Sequence, residues 1–384
     1  MPPAWLEPRA AYLHVPFCAH HCGYCDFAVA AGQDHLIELY LDAIEVELAG
    51  LIRPREIETI FVGGGTPTHL SLPQLERLLD SINRWLPGED REFTFESTPE
   101  SLTREKAAAL RARGVNRLSI GVQSFHPRLL EALDRRHSPE AIPVAIEAVR
   151  PHFDNLSLDL IFAAPGSTLE TWSSDLDAAL GFAPKHLSTY GLTYEKGTPL
   201  WKARERGAVR PVDEDAELAM YERSMDRLAA AGFEHYEISN FAPPGYRCRH
   251  NETYWANEAY HGFGVGAARY VNGTRELNTR DTKSYVKKVL AGEPATFQTE
   301  TLGPRDRAFE TIGTQLRRAE GIDRARFAEQ TGFELADLAS ERLAILLDAG
   351  LLVSDAIGVR LTRRGRCLAD AAIEELMKAN VPTA

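Results

Sequence analysis

Over its first 240 residues the chain alternates between short apolar β runs and helical patterns. No other feature constrains the fold as strongly, because strand–helix repeats build right-handed βαβ units and therefore a parallel sheet. The strand candidates are AYLHVPF (11–17), ETIFVGG (58–64), EFTFES (92–97), NRLSIGV (116–122), NLSLDLIF (155–162) and HLSTYGL (186–192), with HYEISNF (235–241) as a further one. Between them, LPQLERLLDSINRWL places Leu72, Leu75, Leu78, Leu79, Ile82 and Leu86 on one helical face, and Ser71 with Gln74 predicts a capping box. Another helix is predicted to begin at Ser138-Pro139, an N-cap followed by proline in the first turn. Six or so such units make a barrel or an open part of one. Either way, functional side chains belong at the C-terminal ends of the strands.

Residues 241–303 are less regular and rich in Gly, Asn, Tyr and Pro, which predicts a connecting region. Residues 304–384 turn helical again. ASERLAILLDAGLL followed by VSDAIGVRLTRRGRCLAD predicts a helix, a two-stranded wing and a final helix, a winged-helix-like domain. Such domains can bind DNA, but this one carries 12 Lys or Arg against 13 Asp or Glu, and only Arg363, Arg364 and Arg366 cluster. A packing or partner-docking role is the better expectation. The net charge of −12 argues against nucleic acid or anionic membrane as a general partner. No apolar run reaches the roughly 20 residues that span a bilayer, and MPPAWLEPRA lacks the basic start and apolar core of a signal peptide. Five cysteines, an odd count, do not form a disulfide framework, so a reducing cytoplasm is expected.

Three of those cysteines fall within HVPFCAHHCGYCDF: Cys18, Cys22 and Cys25, spaced C-x3-C-x2-C. Three thiolates leave a four-coordinate zinc or iron–sulfur site one ligand short. Three readings stay open on the residues: zinc completed by His20 or His21, buried thiols without metal, or a [4Fe–4S] cluster with one iron open to a small molecule. The spacing differs from that of zinc fingers, which pair C-x2-C with a distant second pair. FVGGGTPT (61–68) ends a β run, and its glycines are expected to let the backbone approach a ligand and to expose amide donors. A phosphate loop is excluded because no lysine occupies the G-K-[ST] position. Glu96, Gln123 and Asp159 end or interrupt later strands, and Asp159 inside an apolar run needs a partner. Arg135 suits bidentate contact with a carboxylate, though a surface arginine in DRRHS is equally ordinary.

The cysteine spacing, with an aromatic (Tyr24) before the last cysteine, resembles the radical S-adenosylmethionine (SAM) superfamily. In that superfamily the amino and carboxylate groups of SAM occupy the open iron, so the missing ligand is the cofactor itself. YLHVPFCAHHCGYCDF, GGGTPT, SIGVQSF, SLDLIFAAPGST and GFGVGAA together resemble the oxygen-independent coproporphyrinogen III oxidases and their relatives, over nearly the whole chain. The resemblance implies a partial parallel (β/α)6 barrel over 1–240, the connecting region 241–303 and the C-terminal domain 304–384. It also implies SAM contacts at Tyr12, Tyr24, Gly64, Gly65, Thr66, Glu96, Gln123, Arg135, Asp159, Thr193 and Ala268.

Two features depart from the true oxidases. They have a further cysteine two positions after the third cluster cysteine, where Phe27 stands here, and their chains extend several tens of residues upstream of the tyrosine equivalent to Tyr12. Moreover, CRHNETYW (248–255) resembles a mark of the haem chaperones related to these oxidases, the HemW type. An imidazole commonly ligates haem iron and aromatics suit the porphyrin face, so His250 is the candidate ligand, with Cys248 nearby. A His-Asn pair that merely satisfies loop backbone groups is the structural alternative.

The expectation is therefore a cytoplasmic haem chaperone that carries a [4Fe–4S] cluster on Cys18, Cys22 and Cys25. It would bind SAM and haem and pass haem to an acceptor such as a respiratory or membrane-associated protein. If SAM is cleaved reductively to a 5′-deoxyadenosyl radical, an electron donor such as flavodoxin or ferredoxin is implied. The rival expectation is an oxidase that decarboxylates coproporphyrinogen III.

Overall fold

The computed structural model describes residues 3–380. Among these, one sheet of twelve strands dominates. Its centre is six parallel strands in spatial order: β1 (Ala10–Val15), β2 (Thr59–Gly64), β3 (Glu92–Ser97), β4 (Arg117–Gln123), β5 (Leu156–Phe162) and β6 (His186–Gly191). All six lie in the apolar runs predicted from the sequence. The first run divides, its end forming the two-residue strand Phe17–Cys18 that leads into the cysteine loop.

Strand side chains alternate between faces, and here the two faces differ in chemistry. One face is apolar: Leu13, Ile60, Val62, Phe93, Phe95, Leu118, Ile120, Leu158 and Leu160 are buried together with Leu75, Leu78, Leu79 and Ile82 of the helix Leu72–Trp85. Each such side chain contributes about 1.5–3 kcal/mol by leaving water. Ser71 N–H donates to Gln74 Oε1 at 3.0 Å, completing the predicted capping box. The opposite face is polar. Register sets Glu96 beside Ser119, Ser119 beside Ser157, and Ser157 beside His186.

Four elements differ from expectation. The helix expected at Ser138-Pro139 begins at Ala141, after a turn in which Ala141 N–H donates to Ser138 O and Ile142 N–H to Pro139 O, and no side chain caps it. HYEISNF is not one strand. It breaks into the hairpin strands Glu234–His235 and Asn240–Ala242, the second antiparallel to β6. The helix expected from Ala339 starts at Leu335 and breaks at Ala339, where the backbone leaves helical geometry. Finally, the region expected only to connect adds a seventh parallel strand, β7 (Tyr260–Phe263), beside β1. Three antiparallel strands follow it: Ala268–Val271, Thr274–Asn278 and Thr296–Thr301. Four residues with a central glycine give too little periodicity to read as a strand. Gly262 is required there, since a Cβ would lie 1.8 Å from the Ala268 carbonyl oxygen.

Residues from Pro304 onward form a second core around Phe309, Ile312, Leu316, Phe327, Leu346 and Leu376. Its small sheet pairs Ile322–Asp323 and Leu352–Ser354 with Gly358–Leu361. This part grips the end of the helix Arg249–Trp255, where Gln315 and Gln330 donate to Ala256 O at 3.2 and 3.1 Å. Among the described residues no helix is long and apolar enough to cross a membrane.

The added strands are tied to the first helix, Ile37–Ala49, by Glu47. Its carboxylate accepts from Gly264 N–H at 2.7 Å, Asn278 Nδ2 at 2.8 Å and Tyr285 O–H at 2.5 Å. Glu47→Ala leaves these donors unpaired and is expected to destabilise the chain by about 2–4 kcal/mol, read as a lowered urea midpoint. Glu47→Gln, which keeps one acceptor oxygen, is expected to lose about half as much.

Candidate functional site

A cavity of about 790 Å3 opens at the carboxyl ends of the parallel strands. The loop after β1 supplies Cys18, Cys22, Tyr24 and Cys25, and the loop after β2 supplies Gly65 and Thr66 next to Gly64. Glu96 ends β3, Gln123 ends β4, Asp159 comes from β5, and Thr193 follows β6. Arg135 completes the set. Twelve of the fifteen predicted site residues thus line one space.

Tyr12, Ala268 and His250 do not line it. Tyr12 sits deeper on β1, its O–H 3.0 Å from His14 Nδ1 and its ring stacked on Phe61. Ala268 lies on an added strand against Gly262. His250 is buried in the helix Arg249–Trp255, and both ring nitrogens are engaged. Nδ1 is 2.9 Å from Thr59 Oγ1, and Nε2 is 2.9 Å from Tyr254 O–H. Burial, helped by the Arg117 charge, pulls its pKa down to about 3, so the ring is neutral. Cys248 is also buried, its thiol donating to Glu92 Oε1 at 3.5 Å. Cys367 stands apart, its thiol directed at Arg363 O at 3.5 Å.

The three loop cysteines are not disulfide-bonded. Burial pushes the Cys18 thiol up to about 12 and the Cys25 thiol to about 11, so without a cation they hold their protons. Arg135 Nη1 donates to Cys22 Sγ at 3.5 Å, and Thr66 Oγ1 lies 3.3 Å from Cys18 Sγ. Among the described residues no three His, Cys, Asp or Glu side chains converge on a point that holds one metal ion. His21 Nε2 is 3.0 Å from the Cys25 carbonyl, and His20 Nε2 is 2.9 Å from Asp134. Neither histidine serves as the fourth ligand that a zinc site needs. Three separate thiols around a roomy cavity fit a [4Fe–4S] cluster, which takes one thiolate per iron.

The glycine loop works differently from expectation. Its amide donors are not exposed: Gly64 N–H donates to Glu96 Oε2 at 3.0 Å, Gly65 N–H to Val15 O at 2.8 Å and Thr66 N–H to Phe17 O at 2.8 Å. The first bond ties the loop to β3, and the other two lash it to the segment that leads into the cysteines. The amide donors of the loop are therefore spent within the fold. Gly64 has φ +109°, and a Cβ there would lie 2.4 Å from the His14 ring.

Two carboxylates face the cavity from inside the sheet. Burial, reinforced by the Asp159 charge and opposed by the Gly64 N–H, raises Glu96 to about 7. Burial also raises Asp159, against hydroxyl donors from Ser188, Ser119 and Ser157. Ser119 Oγ donates to Asp159 Oδ2 at 2.9 Å. Gln123 adopts φ +65° at a bulge between β4 and β5, a backbone state that costs a non-glycine residue about 1–3 kcal/mol. The bulge re-aims the strand end toward the cavity. Reading the sequence alone missed Ser119, Lys106, His69 and Tyr190, which also line it. Only Ser119 and Tyr190 carried a signal, as alternate polar positions in strands otherwise apolar.

The radical SAM superfamily model matches residues 12–179, and the HemN C-terminal domain model matches 302–368. A protein named heme chaperone HemW from Bacillus subtilis (strain 168) is 38% identical over 94% of this chain and 97% of its own length. Heme chaperone HemW from Escherichia coli (strain K12) is 34% identical over 96% and 98%. The solved structure of coproporphyrinogen III oxidase (HemN) from Escherichia coli superposes with a TM-score of 0.84 over 97% of this chain and 90% of that one, at 24% identity, a likeness of fold. The chain belongs to the radical SAM superfamily, a membership that implies a [4Fe–4S] cluster and SAM, and within it to the family of the HemW proteins.

Proposed function

We propose that this chain is a cytoplasmic haem chaperone: it holds a [4Fe–4S] cluster and SAM in the strand-end cavity, binds haem at His250 and passes it to an acceptor protein. The observation that carries the reading is the cavity itself, with three uncrosslinked thiols and, among the described residues, no fourth protein ligand beside them, in a chain similar over nearly its full length to proteins named heme chaperone HemW. In this reading 1–240 is the partial (β/α)6 barrel, 241–303 carries the haem motif, and 304–384 is a winged-helix-like module that docks a partner. When bound, the cluster supplies the electron that reductive SAM cleavage requires.

The chain's own residues have separate tasks. Cys18, Cys22 and Cys25 each hold one iron, and Arg135 offsets their negative charge. The loop carbonyls at Gly64 and Gly65 orient the ammonium group of SAM. Glu96, Gln123, Asp159 and Thr193 take its remaining polar groups, and Tyr24 and Thr66 wall the space. Tyr12 and Ala268 act from behind the cavity rather than by contact. The neutral His250 ring would take haem iron at Nε2 once the helix Arg249–Trp255 shifts and Tyr254 releases it. Phe27 is 64% exposed where the oxidases carry a cysteine, so the loop lacks the extra thiol that coproporphyrinogen decarboxylation is expected to use.

Four outcomes test this. Anaerobic reconstitution of Cys18→Ala, Cys22→Ala or Cys25→Ala is expected to yield protein without bound iron and sulfide at unchanged far-UV circular dichroism. Zinc in the wild-type protein in place of iron would refute the reading. Glu96→Gln is expected to weaken SAM binding roughly 10- to 100-fold, the loss of one hydrogen bond to a charged group. Because Glu96 is raised to about 7, its carboxylate form is complete only above that pH. SAM affinity in the wild type should fall by up to about tenfold per unit below pH 7, and Glu96→Gln should flatten that slope in equilibrium dialysis. Incubation of the reduced holoprotein with coproporphyrinogen III should give no vinyl product by chromatography.

A further inference from the structure

The Arg249–Trp255 helix and the cluster cavity lie at opposite ends of the sheet interior, and a continuous line of buried polar groups joins them. At the helix end, Glu92 of β3 accepts from Arg249 N–H and His250 N–H, each at 3.1 Å, and from the Cys248 thiol at 3.5 Å. Cys248 N–H donates to Tyr236 Oη at 3.4 Å. Tyr236 Oη is 2.8 Å from His186 Nε2, His186 Nδ1 is 2.8 Å from Ser157 Oγ, and Ser157 Oγ donates to Asp159 Oδ1 at 3.4 Å. Asp159 lines the cavity. Ser157, His186, Tyr236, Cys248 and His250 are each at most 1% exposed. Arg117 lies among them, feeling the charges of Glu92 and Asp159, and its Nε has no hydrogen-bond partner.

The helix cannot accept haem as it stands. His250 is buried, and Thr59 and Tyr254 hold both ring nitrogens. A porphyrin reaches Nε2 only if the first turn of the helix leaves Glu92. That movement also takes Cys248 N–H away from Tyr236 and loosens the string that ends beneath Asp159.

We infer that Tyr236, His186 and Ser157 are positioning residues that hold Asp159 for SAM while the helix is docked, so that haem on His250 and SAM in the cavity oppose each other. This rests on the assignment of haem to His250 proposed above. By linkage the opposition is reciprocal: haem weakens SAM by the same factor as SAM weakens haem. SAM binding would then favour the docked helix and drive haem toward an acceptor.

The test is equilibrium binding to the full-length, anaerobically reconstituted holoprotein. SAM affinity is measured with and without saturating haem, and haem affinity with and without saturating SAM. Wild type should show each ligand raising the dissociation constant of the other about tenfold, within the range of ordinary allosteric coupling. Tyr236→Phe conserves volume and removes only the hydroxyl, and Ser157→Ala breaks the string further along. Both should still bind each ligand, SAM with the weaker affinity that wild type shows in the presence of haem, and the shared coupling factor should fall close to one. An absent or non-reciprocal effect in wild type overturns the inference, as does coupling that survives in both variants. Haem binding unchanged in His250→Ala would overturn the haem assignment itself, and the inference with it. That outcome is distinct from intact His250-dependent haem binding that leaves SAM affinity unmoved, which overturns the inference alone.

Discussion

Asp159 sits in the middle of a strand covered on both faces, and the surrounding architecture makes a carboxylate tolerable there. Its inner-face neighbours are hydroxyls from β4, β5 and β6, and Arg117 supplies a buried positive charge below it. A buried carboxylate in an apolar setting would cost several kcal/mol. Here the alternation of side chains along parallel strands collects most of the polar residues on one face. The outward face keeps Leu, Ile, Val and Phe for the helices, and the inward face becomes a polar lining that a ligand and a hydrogen-bonded chain can share.

That division of faces explains why the cysteine segment can be a loop. Three thiols need to stand apart around an open space, which a strand or helix would not allow. The loop is held by backbone bonds to Gly65 and Thr66, by Arg135 from beyond β4, and by the packing of Gly64 against His14. The glycines of GGGTPT thus serve close packing between two segments first.

Much of this was legible before any coordinates. The six parallel strands, the capping box at Ser71, the placement of functional groups at strand ends and the grouping of the three cysteines all follow from local periodicity and spacing. What was not legible depended on distant partners. β7 exists because Tyr260–Phe263 pairs with β1, some 250 residues earlier in the chain. Ser138 reads as a cap, yet the chain makes a turn there first and the helix starts at Ala141 without a side-chain cap. The RHN motif reads as a candidate haem ligand, and nothing local records that the fold sets it at the far end of the sheet with both His250 nitrogens engaged.

The sequence by itself determined the chemistry: which thiols, carboxylates and imidazoles are present, and, through hydrophobic period, which of them must face inward. Local pattern suffices for that, because period 2 in a strand and 3.6 in a helix are properties of the backbone. Only the tertiary structure decided which polar groups meet. Arg117, Glu92, Cys248, His186 and Asp159 are scattered over more than 150 positions, and no local signal records that they share one interior. Their pairing is a consequence of strand order and register, and it gathers five buried groups, each costly alone, into one electrostatically connected cluster.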